Sequence, residues 1–286
     1  MGSVSEISLS PYGTHVLTCI LDTVPSMAPI IVREITSSRL ALSLTTLSST
    51  PLWQKIFQQA WPDSASSSLL RTRVLNALTK QWVRFVNCEA GRILFPCMME
   101  SHLLHESDNG IQEIFASFLE CVCHQWGVWS IQYLIERGSS TMKECISARL
   151  LQNISTVSLS TYGSKALQCA QRHCGIPFQD QLADALCRTM TSGRHAPRVP
   201  GASRSLLIDV AAAQHGLPII TQVRFSRIDS KLLTHATPSR RTILITLVRR
   251  HAMVLKSNRS GGRVVQLCGT WSADSHRERA RVYAGY

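Results

Sequence analysis

The chain has 286 residues, 44% of them hydrophobic, so it can bury a sizeable core. Its 30 lysines and arginines against 18 aspartates and glutamates give a net charge of +12, which points to a polyanionic partner. No run approaches the roughly 18 apolar residues of a membrane-spanning helix, and Glu6 stands where a myristoylation signal needs serine, so no membrane partner is expected. The 10 cysteines are irregularly spaced, many on apolar helix faces, with no secretory signal and no recurring pair at zinc spacing. Reduced thiols and no metal site are expected.

In chain order, Pro11-Tyr12-Gly13 opens the first helical pattern, with Thr14, His15 and Thr18 on one side and Val16, Leu17, Ile20 and Leu21 on the other. Met27 to Ser49 predicts two short helices packing through Ile30, Ile31, Ile35, Leu40, Leu44 and Leu47. A segment with Trp53, Ile56 and Phe57 follows from 49 to 61, ended by Pro62 and a polar turn over 63–68. Leu69 to Phe85 predicts a single basic helix. It is apolar at Leu70, Val74, Leu75, Leu78, Trp82 and Phe85, with Arg71, Arg73, Lys80 and Arg84 left for solvent or phosphate. Glu89-Ala90-Gly91 then leads into Arg92, Ile93 and Pro96 on one face and Leu94, Phe95, Met98 and Met99 on the other.

Ile111 to Cys123 and Met142 to Leu151 predict helices that flank two near-copies of one segment. The first runs from His124 through Gly127, Val128 and Trp129 to Gln132, and the second from Ser160 through Gly163, Ser164 and Lys165 to Gln168. An aromatic residue precedes each glycine, a glutamine follows five places later, and the glycines at 127 and 163 lie 36 residues apart. Between 192 and 204, glycine, proline and arginine displace the apolar period, which predicts an irregular basic insertion. Apolar helices are expected over Ser205 to Ala213 and Thr242 to Leu255. Between and after them come Gly216, with Leu217, Pro218 and Thr221, and Gly261, with Gly262, Arg263 and Gln266. Ser275 to Arg281 predicts a final basic helix.

Helical geometry orders these segments. At about 100° per residue, the first, second and fifth positions after each glycine share one face, while the third, fourth, seventh and eighth share the opposite one. The second set is mostly apolar, as Ser130, Ile131, Leu134 and Ile135 illustrate, so it should be buried and the first set should present three exposed side chains. Six copies start at glycines 13, 91, 127, 163, 216 and 261. The 78 residues from Gly13 to Gly91 fit two units, with a degenerate one hidden near 49–61. A fixed period in this range signals a repeat array in which neighbours bury each other's apolar faces. One domain over 1–286 is therefore expected. Because terminal repeats normally carry caps, a start at Leu9 implies a missing short cap or a longer gene product.

The aromatic-Gly-x-x-small-apolar-Gln pattern resembles the Pumilio (PUF) repeat, and Asn153 to Ser160 resembles the stretch leading into its second helix. The resemblance is strongest from Glu113 to Gly175. It implies an all-α fold of three-helix repeats stacked into a curved α-solenoid, whose concave face presents three side chains per repeat to RNA. The RNA-binding residues it implies are Thr14, His15, Thr18, Arg92, Val128, Trp129, Gln132, Ser164, Lys165, Gln168, Gly262, Arg263 and Gln266. Trp129, His15 and Arg263 suit stacking on an unpaired base. Gln132, Gln168 and Gln266 suit reading its edge, with Ser164 and Thr14 as partners. The Ser164 and Gln168 pair is similar to a purine reader, with adenine the favoured purine, although Lys165 is not the family's usual stacker.

Arg92-Ile93-Pro96 and Leu217-Pro218-Thr221 depart from the family's reading chemistry, which argues against a strict one-base-per-repeat code. With the positive charge, these departures look more like the nucleolar Pumilio-repeat proteins of ribosome assembly than the cytoplasmic messenger-RNA regulators. Pro11 to Leu17 and Gly262 to Val265 are similar to terminal repeats of that nucleolar group. The expectation is an RNA-binding protein acting in ribosomal RNA processing or small-subunit assembly, in the nucleus and specifically the nucleolus, with protein partners on the convex face. The alternatives are a cytoplasmic regulator bound to messenger RNA 3′ regions and a helical protein scaffold. No P-loop, HExxH, GxSxG or dinucleotide fingerprint occurs, so neither an enzyme nor a cofactor is expected.

Overall fold

The computed structural model describes residues 3–36, 39–59, 64–187, 205–221, 238–257 and 259–269. Every regular element among them is helical. The chain divides at Gly138 into two compact units.

In the unit up to Gly138 the helices are α1 (Ser3–Ile7), α2 (Pro11–Thr23), α3 (Ala28–Ile35), α4 (Leu40–Thr45), α5 (Thr50–Gln58) and α6 (Ser64–Leu78). They continue with α7 (Trp82–Val86), α8 (Glu89–Glu100), α9 (Asn109–Ala116), α10 (Phe118–Cys123) and α11 (Gly127–Arg137). From α3 onward they fall into triplets of a first helix, a short second helix and a third helix. The third helices α2, α5, α8 and α11 pack side by side in chain order. Leu94, Phe95 and Met98 of α8 and Ile131, Leu134 and Ile135 of α11 are all fully buried, as the apolar spacing predicts.

In the unit from Ser139 the helices are α12 (Ser140–Gln152), α13 (Ile154–Leu159), α14 (Gly163–His173), α15 (Gly175–Cys187), α16 (Leu206–Ala212), α17 (Gly216–Thr221), α18 (Pro238–Arg250) and α19 (Ala252–Lys256). A last helix, α20, covers 259–269. The first helices α12, α15 and α18 stack in one row, the second helices α13, α16 and α19 in another, and α14 packs on α17. Ala166 and Leu167 of α14 are fully buried.

The hidden repeat is real. Its third helix is α5, and Ser49 stands where the other repeats have glycine, 36 residues after Gly13 and 42 before Gly91. Ser49 is buried and its Oγ donates to the Ser8 carbonyl at 2.7 Å, which ties this repeat to the preceding one. Leu52, Trp53, Ile56 and Phe57 are buried behind it, and the Trp53 indole donates to Ser43 Oγ at 2.8 Å.

Several expectations need correction. The basic helix over 69–85 is two helices, because Lys80 adopts φ 61° and turns the chain between α6 and α7. The Glu113 carboxylate accepts from the Lys80 and Trp82 amides at 2.9 Å, satisfying donors that the start of α7 leaves open. Two of its basic residues have protein partners: Arg71 bonds both Asp108 carboxylate oxygens at 2.7 and 2.9 Å, and Arg73 donates to Thr36 Oγ1 at 2.6 Å. Likewise 242–255 is α18 and α19, separated at His251. Ile30, Leu47 and Val16, expected to pack, are exposed. The basic insertion at 192–204 and the helix at 275–281 lie outside the described residues. No single described helix is long and apolar enough to cross a membrane.

Candidate nucleic-acid interface

The repeat glycine marks a close approach. A Cβ on Gly127 would lie 2.5 Å from the Cys121 carbonyl oxygen, and one on Gly163 would lie 2.5 Å from that of Val157. Gly13, Gly91, Gly216 and Gly261 meet the carbonyls of Ile7, Phe85, Val210 and Leu255 more tightly still. Each of these carbonyls lies six residues before its glycine. The third helix therefore starts against the backbone of the second, and a side chain at that point has no room.

The residue three places before the glycine closes the same junction. Cys88 Sγ accepts from the Gly91 amide at 3.3 Å, His124 Nδ1 from Trp126 and Gly127 at 3.2 and 3.5 Å, and Ser160 Oγ from Gly163 at 3.2 Å. These positions, 88, 124 and 160, keep the 36-residue period. Three different side chains perform one task, satisfying amides that the helix start leaves open.

This junction orients the front of each third helix, where the expectation of three exposed side chains holds for only part of the set. The first position is buried in Thr14, Val128 and Ser164. Thr14 Oγ1 donates to the Ser8 carbonyl at 3.0 Å and Ser164 Oγ to that of Thr161 at 2.9 Å. These side chains support the surface rather than stand on it. The reason is angular: at about 100° per residue the first position lies beside the buried face, whereas the second lies nearly opposite it.

The second position is the exposed one, in His15, Trp129, Lys165 and Arg263. Trp129 keeps 46% of its surface open. The fifth position is half-buried in Thr18, Gln132 and Gln168 and exposed in Gln266. Thr18 Oγ1 donates to the Thr14 carbonyl at 2.8 Å. Gly262 is half-exposed, with open space where a side chain would stand.

The α5 repeat adds a set that the sequence did not single out. Taking Ser49 as the glycine position, the front is Thr50, Pro51 and Gln54, respectively buried, exposed and half-buried as in the clear repeats. The glutamine five places after Ser49 was the available signal. Gln54 Nε2 lies 3.9 Å from Cys97 Sγ on α8, a weak contact that sets the amide between two repeats.

Arg92 differs from Thr14, Val128 and Ser164 at the same position. It is half-buried, and its guanidinium carbon lies 5.4 Å from the Trp126 ring centroid and 5.7 Å from that of Trp129, within cation–π range. In the second unit, the Lys165 ammonium lies 5.4 Å from the Tyr162 ring centroid. In both units a cation is held over an aromatic ring next to the repeat glycine.

Burial, full or partial, raises several of the thiols. Burial pushes the thiols of Cys187 and Cys268 up to about 11, and that of Cys121 up to about 12. Burial also raises Cys88, against the opposing hydrogen bonds from Gly91 and Ala90.

These features define a helical-repeat protein of three-helix units, in which the third helices at Gly13, Gly127, Gly163 and Gly261 each place an exposed side chain two residues after the glycine. No known family's sequence profile matches the chain, and no curated protein matches it. Among solved structures it is similar to PUF-8 in complex with PBE-RNA, at 16% identity and a TM-score of 0.70, covering 92% of this chain and 70% of that one. It is also similar to the Puf4 RNA-binding domain bound to the HO endonuclease RNA 3′ UTR recognition sequence, at 16% identity and a TM-score of 0.67, covering 93% and 74%. The RNA-binding domain of yeast Puf5p bound to MFA2 RNA matches at 13% identity and a TM-score of 0.58, covering 98% and 78%. The fold is thus the Pumilio-type helical repeat.

Proposed function

We propose that the protein binds single-stranded RNA along the fronts of its third helices and has no enzymatic role. The observation that carries this reading is the recurrence, at one register, of an exposed His15, Trp129, Lys165 or Arg263 with a glutamine or threonine three places on. At His15, Trp129 and Arg263 a ring or planar cation stacks on an unpaired base, and the glutamine amides at 132, 168 and 266 reach a base edge. The net charge of +12 supplies the sequence-independent attraction. PUF-8 and Puf4, which share the fold, are seen bound to RNA.

Titration of single-stranded RNA against salt tests the reading. Binding that weakens steeply as salt rises supports it. Absence of binding at low salt rejects it in favour of a helical scaffold for proteins.

Of the RNA classes, we propose ribosomal precursor RNA, with a nucleolar address and protein partners on the first helices. The reading rests on the resemblance of Pro11 to Leu17 and Gly262 to Val265 to nucleolar terminal repeats and on the reduced reading chemistry at Arg92, Ile93 and Pro96. A second reading, messenger RNA 3′ regions, is favoured by the 3′ UTR sequences bound to Puf4 and Puf3. Sequencing the RNA crosslinked to the protein in cells separates the two: reads in ribosomal precursors support the first, and reads in messenger 3′ regions the second.

A further inference from the structure

We infer that the open flank of α2 takes the open flank of α20 from a second copy of this chain, so that copies associate head to tail. Each flank is one that a further repeat would cover.

In the first unit every third helix has two flanks. α2 packs on α5, and its fourth and eighth residues after the glycine, Leu17 and Leu21, are buried. Those positions therefore face the following repeat, and the third and seventh face the preceding one. In α5, α8 and α11 the third and seventh residues are at most 1% exposed, as Leu52 and Ile56 illustrate. In α2 the same flank is open: Val16 at the third position is 54% exposed, Ile20 at the seventh is half-buried, and Tyr12, beside them on the helix, is 87% exposed.

α20 is the converse. Its third and seventh residues, Val264 and Cys268, are buried, whereas Val265 at the fourth position is only half-buried. In α5, α8, α11 and α14 that position holds Trp53, Phe95, Ile131 and Leu167, all fully buried. At the first position of α20, a Cβ on Gly262 would meet nothing within 4 Å. One copy thus lacks the flank that the next supplies, in the register by which α5 packs on α2. Burying an exposed apolar flank against a matching helix releases its hydration.

Charge favours the same pairing. Residues 1–32 hold Glu6 and Asp22 and no lysine or arginine; Lys55 offsets Asp22, and Glu6 stands exposed beside exposed Ile7. Residues 238–269 hold seven lysines and arginines and no acid. Two tails repel each other, whereas a tail meets in the head a surface with no competing cation of its own. The contact is heterologous, so it can repeat from copy to copy.

Sedimentation velocity of the full chain without RNA, over a series of protein and salt concentrations, tests the inference. The wild type should sediment faster as its concentration rises, and less so at high salt. Val16→Asp on the head and Gly262→Glu on the tail should each raise the dissociation constant by about tenfold or more, because each puts an unpaired charge into the contact. Thermal melts confirm that the variants fold, and Val16→Ser and Val265→Ser repeat the comparison with smaller changes. The two charged variants mixed together retain one intact head and one intact tail, so the mixture should recover a dimer that grows no further. A wild type that stays monomeric at every concentration overturns the inference. So does association that the variants leave unchanged, or that the mixture fails to recover, since a like-to-like dimer behaves in that way.

Discussion

A Cβ added to Gly163 would sit 2.5 Å from the carbonyl oxygen of Val157 and 3.0 Å from its Cα and Cγ1. The nearest obstacle is backbone, which cannot move without shifting α13 against α14. Gly163→Ala should therefore destabilise the second unit by about 1–3 kcal/mol, although alanine is the better helix former. Chemical denaturation checks this, and an unchanged or raised midpoint would contradict the close approach.

The side chains at 88, 124 and 160 supply a graded test of the same junction. Ser160→Ala removes the acceptor for the Gly163 amide and should cost about 1 kcal/mol, whereas Ser160→Gly should cost only a few tenths. His124→Asn keeps an acceptor within reach of the Gly127 amide and should retain more stability than His124→Ala. Equal losses for all of these substitutions would mean that the hydrogen bond is incidental to the helix start.

The glycine period was legible because a backbone approach this close admits no other residue, so the spacing is written in residue type. The apolar rows were legible for a similar reason: Ile131, Leu134 and Leu167 sit at helical intervals and are fully buried. Other features left no such mark. Ser49 stands in the glycine's place and bonds to Ser8, so the α5 repeat showed itself through the 78-residue gap from Gly13 to Gly91 and its apolar residues, and its front residue Gln54 went unmarked. Lys80 takes a positive φ with neither glycine nor proline nearby, so the break before α7 is silent in the sequence. The burial of Thr14, Val128 and Ser164 depends on packing that a single-helix projection does not contain. Arg92 could be placed on the front face, but its pairing with Trp126 and Trp129 depends on how α8 meets α11.

The raised thiols predict how stability depends on pH. A thiol whose folded-state value lies above its unfolded value of about 9 keeps its proton in the fold while the unfolded chain loses it. The contribution is therefore fully present below about 9 and is lost as pH rises towards the folded value of about 12 for Cys121. Unfolding free energy should fall over that window, and the fall should be shallower in Cys121→Ala, measured as a slope so that the cavity cost common to all pH values drops out. Exposed Cys19 should react with a thiol reagent in the native protein, and Cys121 only on unfolding. Native-state labelling of Cys121 at neutral pH would contradict its burial.

Gln54 and Gln132 occupy the same register in different repeats, five places after Ser49 and Gly127, and both are half-buried at the front of their helices. If this position reads a base edge, each glutamine discriminates among bases, whereas a contact to phosphate does not. Gln132→Ala and Gln54→Ala should then weaken a preferred single-stranded RNA by about 1 kcal/mol or more while leaving a scrambled RNA nearly unchanged. Trp129→Ala offers the contrast, since stacking accepts any base: it should weaken both RNAs together, by roughly 1–3 kcal/mol. The contact of Gln54 with Cys97 Sγ is long and weak, so its loss should barely move the thermal midpoint, and a change in RNA preference can be assigned to the interface rather than to the fold. Equal weakening of both RNAs by the two glutamine substitutions would show that the third helices hold RNA through charge and stacking and do not read its sequence.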